Sequence, residues 1–339
     1  MKKTIITLST FALLFMGGLA ITGCSGGDED AANQEKASPC ETDANTLTVS
    51  ADITSNPGYE KYYEFAKSKF ESENPGVTVN VVKMAQQDQI DKLSTDGPAC
   101  KGPDVTIMPY NDAAVQISKK NVMPYGESLQ GVDNSVVERT TVDGQTTGQP
   151  LSVESNILYY NKSLIPEAPK TMDELYKLTE NSKFAFANDP SKSVAFLADW
   201  SNFYNSFPVF GGYGAYIFGE TDGKDNPDDI GLASDDAVKA AEYMKTWYDK
   251  WPQDMKGKNA SPIEQDQFTK GKAGAVIDGP WNSTMYKKAL GDDLGETLLP
   301  TLPNGKQMQA FNGGKEWVVS QYAVNPRLAK AWLKIVGDE

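Results

Sequence analysis

The stretch that decides the fold is LTVSADITSNPGYEKYYEFAKSKFESENPGVTVNVV, residues 47–82. Apolar and polar residues alternate over residues 47–51, which predicts a strand. Apolar residues then recur at helical spacing from residue 59 to residue 70, and Asn74-Pro75-Gly76 ends this helix. Valines at alternating positions from 77 to 81 restore the strand pattern. The stretch therefore predicts strand, helix, strand.

The same alternation continues towards the C-terminus. The pattern predicts a helix around residues 86–93, a third strand at 105–108 and a short helix at 112–120. This order predicts a parallel sheet with helices on its faces. Ligands of such sheets bind beyond the carboxyl ends of the strands, so the loops after Ala51 and Met108 are the first places to expect a site.

A second α/β unit is predicted from about residue 155 onwards. Thr171-Met172-Asp173-Glu174 fits a capping box, and Ala273 to Ile277 has the composition of a buried strand. Ser234 is a predicted N-cap. The helix that it starts carries an apolar stripe predicted to comprise Val238, Ala241, Met244, Tyr248 and Trp251.

Residues 1–23 are predicted to be a lipoprotein signal peptide and not part of the fold. Two lysines precede the apolar residues 5–19, which are too few for a spanning helix. Ile21-Thr22-Gly23-Cys24 resembles the lipobox of bacterial lipoproteins, in which the cysteine is acylated. We therefore expect a lipid anchor, such as palmitate, at Cys24 and a solvated tether over residues 24–44.

The two remaining cysteines, Cys40 and Cys100, allow one pairing. A protein outside the cytoplasm can form disulfides, and this one would close a loop of roughly 60 residues. The alternative is two free buried thiols. We predict the disulfide.

The composition excludes several classes of function. The chain has no histidine, which removes nucleophile systems and metal sites that depend on it. A formal charge of −14 opposes nucleic-acid binding. No dinucleotide, phosphate-loop or calcium-loop motif is complete. We expect no cofactor, no metal and no nucleic-acid partner, while a carboxylate pair for glycoside hydrolysis stays open.

Aromatic residues alternate with polar ones in Trp200-Ser201-Asn202-Phe203-Tyr204-Asn205, and Trp281 follows a predicted strand on a Gly-Pro turn. Aromatic rings stack on the flat C–H faces of sugars, while amides and carboxylates bind the hydroxyl groups. The pattern therefore fits an uncharged oligosaccharide. The alternative is that these aromatic residues belong to the core.

Several specific motifs follow one another in the order of a known family. They include Gly102-Pro103-Asp104-Val105, Tyr159-Tyr160-Asn161-Lys162, Ala195-Phe196-Leu197-Ala198-Asp199-Trp200, Asp278-Gly279-Pro280-Trp281 and Pro300-Thr301-Leu302-Pro303-Asn304-Gly305-Lys306. Through them the chain resembles the maltose/maltodextrin-binding proteins of bacterial ABC importers, from about Leu47 to its last residue.

The resemblance implies a periplasmic-binding-protein-like α/β fold, with two lobes joined by a hinge and a cleft between them. Residues 45–152 with 316–339 would form lobe 1, and residues 153–315 would form lobe 2. Family members continue for tens of residues beyond the helix at 328–335. The C-terminal part of lobe 2 would then be missing, either because this is a fragment or because the lobe is incomplete.

The resemblance also implies a set of sugar-binding residues. Glu154 matches a hinge-side carboxylate, while Tyr204 and Trp281 match stacking aromatics. Asn111-Asp112 replaces an Asp-Arg pair of many members, which places ligand choice in question. The complete predicted set of substrate-binding residues is Asp52, Asn111, Asp112, Glu154, Trp200, Asn202, Tyr204, Trp281 and Lys315.

By this resemblance the protein is a lipid-anchored receptor on the extracellular face of the cell membrane. It would be a monomer that captures maltodextrins and delivers them, without catalysis, to the membrane subunits of an ABC importer. A surface glycoside hydrolase, or a binding protein of this fold for another oligosaccharide, is the alternative.

Overall fold

The computed structural model describes residues 37–53, 57–222 and 224–337. The predicted signal peptide and Cys24 lie outside the described residues. The strands are β1 Thr46–Ala51, β2 Thr78–Lys83, β3 Val105–Pro109, β4 Val122–Met123, β5 Thr141–Val142, β6 Gln145–Thr146, β7 Gln149–Glu154, β8 Ile157–Asn161, β9 Ala185–Phe186, β10 Asp189–Ser193, β11 Phe196–Ala198, β12 Phe218–Thr221, β13 Lys224–Ile230, β14 Ala275–Asp278, β15 Leu294–Thr297 and β16 Gly313–Ser320. The α-helices are α1 Glu60–Glu73, α2 Gln86–Thr95, α3 Tyr110–Ser118, α4 Asn134–Arg139, α5 Met172–Leu178, α6 Phe203–Tyr213, α7 Asp235–Tyr248, α8 Ala260–Thr269, α9 Ser283–Leu290 and α10 Pro326–Gly337.

The first lobe is built on a sheet in the order β2-β1-β3-β16-β4. β1 runs parallel to β2 and β3, as the sequence pattern predicts, whereas β16 is antiparallel to β3. β7 pairs with the first part of β16 and β4 with its end. Helices α1 and α10 cover one face, where the rings of Phe70 and Trp332 lie 5.4 Å apart. Helices α2 and α3 pack on the other face through Leu93 and Ala113.

The second lobe is built on a four-stranded sheet in the order β11-β14-β8-β15. β14 is parallel to β11, and β8 is antiparallel to both of its neighbours. A large apolar core lies around this sheet and includes fully buried Phe196, Trp247 and Trp251. The predicted capping box of α5 is present, because Thr171 Oγ1 accepts from the Glu174 N–H at 3.2 Å.

The buried face of α7 differs from the predicted stripe. Ser234 caps the helix as predicted, but Val238 is 55% exposed. The face that packs inwards carries Ala237, Ala240, Met244 and Trp247. Met244 and Trp251 of the predicted stripe are buried, but Ala237, Ala240 and Trp247 take the inward positions predicted for Val238, Ala241 and Tyr248. Both sets of residues have helical spacing, and the fully buried Trp247 indole decides which face turns inwards.

Cys40 and Cys100 form the predicted disulfide, with their Cα atoms 5.6 Å apart. Further bonds hold the same N-terminal segment: the Thr42 N–H donates to the Val324 carbonyl at 2.8 Å. The Asn325 side chain donates to the Ala44 carbonyl at 2.8 Å. The chain is therefore fixed to the first lobe before β1 begins. Over the described residues, no helix combines the length and apolar character needed to cross a membrane.

Candidate functional site

A cavity of about 560 Å³ opens between the two lobes. Both lobes and both of the strands that lead from one lobe to the other contribute to its walls. The residues that line it are Gln86, Pro109, Asn111, Asp112, Glu154, Asn202, Tyr204, Asn205, Trp281, Asn282, Gly313, Gly314 and Lys315.

The first-lobe wall lies beyond the carboxyl ends of two parallel strands. Gln86 follows β2, and Asn111 with Asp112 follows β3 in the first turn of α3. The Asn111 amide donates to Asp112 Oδ1 at 3.3 Å. Burial raises the pKa of Asp112 above its ordinary value. This wall thus offers two amides and one carboxyl group to a ligand.

The floor is formed where β7 and β16 pair. Glu154 ends β7, and its Oε1 lies 3.8 Å from Lys315 Nζ, while both side chains are about 90% buried. The Ser152 hydroxyl donates to the same Oε1 at 2.8 Å. Gly314 lies opposite Val153, and a Cβ there would overlap Tyr110 and the Ser152 carbonyl. The floor therefore presents one ion pair beside exposed backbone.

The second-lobe wall is aromatic. Tyr204 and Trp281 come from separate segments, yet their ring centroids lie 5.8 Å apart at 63°. The Tyr204 hydroxyl donates to the Glu154 carbonyl at 3.4 Å. Burial, followed by the Glu154 carboxylate, raises the pKa of Tyr204. The phenol is therefore held in its neutral, hydrogen-bonding form at the edge of the floor.

Amides surround these rings. Asn202 caps α6, since its Oδ1 accepts from the Tyr204 N–H at 2.9 Å. Asn205 Oδ1 accepts from the Asn156 amide at 2.9 Å. The residues that line the cavity carry two carboxyl groups, one ammonium group and five side-chain amides. A site with this small charge, flat rings and many hydrogen-bonding groups suits a polyhydroxylated, uncharged ligand.

Two predicted site residues lie elsewhere. Trp200 is 5% exposed and packs against Trp251 with ring centroids 4.7 Å apart, inside the second-lobe core. It lies two residues after β11 and stays in the core, whereas the turn after it brings Asn202 and Tyr204 to the cavity. Asp52 lines a small cavity of about 10 Å³ that adjoins the main one, since Gln86 and Lys315 line both.

Sequence reasoning missed six lining residues, namely Gln86, Pro109, Asn205, Asn282, Gly313 and Gly314. Gln86 follows β2, and ligands of parallel sheets bind beyond the carboxyl ends of the strands. This rule, which indicated the loops after Ala51 and Met108, therefore also indicates Gln86. Asn205 and Asn282 each follow a predicted aromatic residue by one position. The two glycines line the floor through their backbone, and no side-chain pattern signals such a role.

The described residues contain no group of three or more histidine, cysteine, aspartate or glutamate side chains arranged to hold a metal ion. Of the described residues that line the cavity, Asp112 and Glu154 carry carboxyl groups.

Residues 66–339 match the family described as bacterial extracellular solute-binding protein, and the chain belongs to this family. The maltodextrin-binding protein MdxE of Bacillus subtilis is 39% identical over an alignment of 341 residues, gaps included, that covers 97% of this chain and 76% of that protein. A maltooligosaccharide ABC transporter solute-binding lipoprotein of Streptococcus pneumoniae is 38% identical, and the matched region covers 96% of this chain and 74% of that protein. The predicted family resemblance is confirmed.

Solved structures support the same assignment. MalX from Streptococcus pneumoniae in complex with maltopentaose superposes with a TM-score of 0.80 at 38% identity, covering 86% of this chain and 76% of that one. The maltose-binding protein MalE from Listeria monocytogenes in complex with maltose gives 0.71 at 38% identity, covering 86% and 74%. The predicted fold class is confirmed, and the family consists of extracellular solute-binding proteins, not enzymes.

Proposed function

We propose that this protein captures maltodextrin-type oligosaccharides and delivers them to an ABC importer by closure of the cleft. The observation that carries the proposal is the meeting of the Tyr204 and Trp281 rings in one cavity with amides on the facing wall. Rings stack on sugar faces, and amides with the Glu154 and Lys315 side chains bind hydroxyl groups. The names of the similar proteins, which bind maltodextrins or maltooligosaccharides, agree with this ligand class.

Calorimetry tests the ligand. Titration with maltose, maltotriose and maltotetraose should give saturable binding with a dissociation constant of about 1 μM, or about −8 kcal/mol. Cellobiose has the same composition as maltose but another linkage, so it serves as the matched control. Equal affinity for cellobiose and maltose would contradict selection for α-linked glucose, and absence of binding to all four would contradict the proposed function.

A galactooligosaccharide is the second candidate ligand. A galactooligosaccharide-binding protein of Bacillus subtilis is 35% identical over 81% of this chain. The first-lobe wall bears Asn111 and Asp112, where the arginine implied by the family resemblance is replaced. Including a galactooligosaccharide in the calorimetric panel decides between the two sugars.

We further propose that Cys24 carries a lipid anchor, that the chain between Cys24 and Cys40 forms the tether, and that the protein acts as a monomer. The predicted tether limits of 24–44 extend too far, because residues 40–44 are bonded to the first lobe. The lobe limits, 45–152 with 316–339 and 153–315, are part of the same proposal. The pairing of β7 with β16 at the cavity floor supports these limits, because it marks where the chain passes between sheets. Incorporation of labelled palmitate into the full chain, and its loss in Cys24→Ala, tests the anchor.

A further inference from the structure

The turn that follows β14 carries Trp281 and Asn282 to the cavity. It begins at Asp278, the last residue of β14, which is 5% exposed and is not one of the residues that line the cavity. A buried carboxylate directly behind a ligand-facing turn needs partners, because burial without hydrogen bonds is costly. Its partners indicate what it does.

The Asp278 carboxylate accepts three hydrogen bonds from this turn and the helix after it. Oδ1 accepts from the Gly279 N–H at 2.7 Å. Oδ2 accepts from the Asn282 amide at 2.7 Å and from the Tyr286 hydroxyl at 2.5 Å. Three donors thus converge on a group that, when ionised, only accepts.

The other side of the turn is held as well. The Tyr159 hydroxyl in β8 donates to the Gly279 carbonyl at 3.2 Å, and Tyr159 is 1% exposed. The rings of Tyr159 and Tyr286 pack with their centroids 5.1 Å apart. A Cβ at position 279 would overlap the Trp281 indole, so this ring lies directly against the Gly279 backbone. The position of Gly279 therefore sets the position of the indole.

We propose that Asp278 is a positioning residue of the sugar site: by holding Gly279 and Asn282 from behind, it sets the Trp281 ring and the Asn282 amide in their ligand-binding positions. Tyr159 and Tyr286 complete the support. A ring and an amide that are ordered before the ligand arrives lose less side-chain entropy on binding. The effect on sugar affinity rests on the proposed function, whereas the effect on the Trp281 ring does not.

Asp278→Asn separates this role from packing, because the two side chains have nearly the same shape. An amide offers one acceptor and one donor where Gly279, Asn282 and Tyr286 all donate. Tyr286 can turn its hydroxyl to accept, but Asn282 can accept from the new NH2 group only if its amide turns over, which exchanges the oxygen and nitrogen that it presents to the cavity. Asp278→Asn with Asn282→Asp exchanges donor and acceptor between the two positions and should restore the contact.

The experiment is fluorine NMR of the full chain labelled with 5-fluorotryptophan, without sugar. The chain has six tryptophans, and Trp281→Phe assigns the signal of interest. We expect Asp278→Asn to shift or broaden the Trp281 signal while the signals of Trp247 and Trp251, buried in the same lobe, keep their positions. The exchanged double variant should return the Trp281 signal towards its original position. Calorimetry of Asp278→Asn should show maltotriose affinity reduced about tenfold.

An unchanged Trp281 signal in Asp278→Asn overturns the proposal. A displacement of the Trp247 and Trp251 signals as large as that of the Trp281 signal also overturns it, because it indicates a change in the whole lobe. Tyr159→Phe removes the second support without touching a charge and should move the Trp281 signal in the same way. It keeps the test decisive if Asp278→Asn does not fold. If the unsubstituted protein does not bind maltotriose, the proposed function fails while the NMR result still decides the role of Asp278.

Discussion

Lys315 Nζ lies 3.8 Å from Glu154 Oε1, although the two residues come from the two different strands that connect the lobes. Both side chains are about 90% buried at the cavity floor. A charge in such a place is costly unless it is paired. The ion pair therefore links the two connections at the point where a ligand binds.

Removing one partner of this pair should lower the free energy of unfolding more than removing both partners does. Lys315→Met leaves the Glu154 carboxylate without its cation, and we expect lower stability and weaker maltotriose binding. In the double variant Glu154→Gln with Lys315→Met, part of the stability should return, with a coupling free energy of about 0.5–3 kcal/mol. Urea unfolding of the unsubstituted protein, Lys315→Met, Glu154→Gln and the double variant measures this coupling, and strictly additive effects would contradict it.

Trp281→Ala should weaken maltotriose binding by roughly 1–3 kcal/mol, the range for loss of a buried aromatic contact. Trp200→Phe is the matched control, since Trp200 packs in the core of the same lobe and does not line the cavity. We expect it to change the unfolding midpoint and leave the affinity unchanged. Calorimetry and thermal unfolding measure the two effects, and equal losses of affinity would place the site elsewhere.

Glu316 should make stability depend on pH. It is fully buried in β16, and burial raises its pKa from the ordinary 4.5 to about 8, although a hydrogen bond from the Thr147 hydroxyl lowers the pKa in part. The folded state then holds the proton more tightly than the unfolded state does. The stabilisation is complete below about pH 4.5 and is lost as the pH rises towards 8, at about 1.4 kcal/mol per unit of pKa difference.

Urea unfolding between pH 5 and 8 tests this dependence. The free energy of unfolding should fall with pH more steeply for the unsubstituted protein than for Glu316→Gln. Glu138→Gln, at an exposed position in α4, is the control and should retain the original slope. The same slope in all three proteins would show that Glu316 does not titrate in this range.

The disulfide should contribute to stability without affecting the site. Cys40 and Cys100 are separated by 60 residues, and in the chain-entropy model a loop of this size contributes ~4 kcal/mol. We expect the double variant Cys40→Ser with Cys100→Ser to lose stability by a similar amount and to keep its maltotriose affinity. The unsubstituted protein under reducing conditions is the matched comparison. An altered affinity would indicate that the disulfide also shapes the cavity.

Much of the fold followed from local patterns. The first three strands and the helices between them were predictable because each carries a clear period, and β16 was expected to return to the first lobe only through the family resemblance. The face of α7 was not predictable, since two sets of apolar residues share helical spacing and only the packing of Trp247 selects one.

The site was predictable in part. Residues next to strand ends, such as Asn111, or carried by specific motifs, such as Trp281, were identified and do line the cavity. Trp200 was placed in the same site because it is close in sequence to lining residues, and Asp52 because it follows the first strand. A turn of one or two residues decides whether a side chain faces the core or the cleft, and composition does not record that choice. Whether the lining residues bind sugar stays a prediction.

The pairing of β7 with β16 has a mechanical consequence. β7 and β16, the two connections between the lobes, are hydrogen-bonded side by side. Such a pair of strands bends out of its own plane far more easily than within it. We therefore expect the two lobes to move relative to each other about a single axis. The rings of Tyr204 and Trp281 would then meet the amides of the facing wall in the same alignment each time the cleft closes.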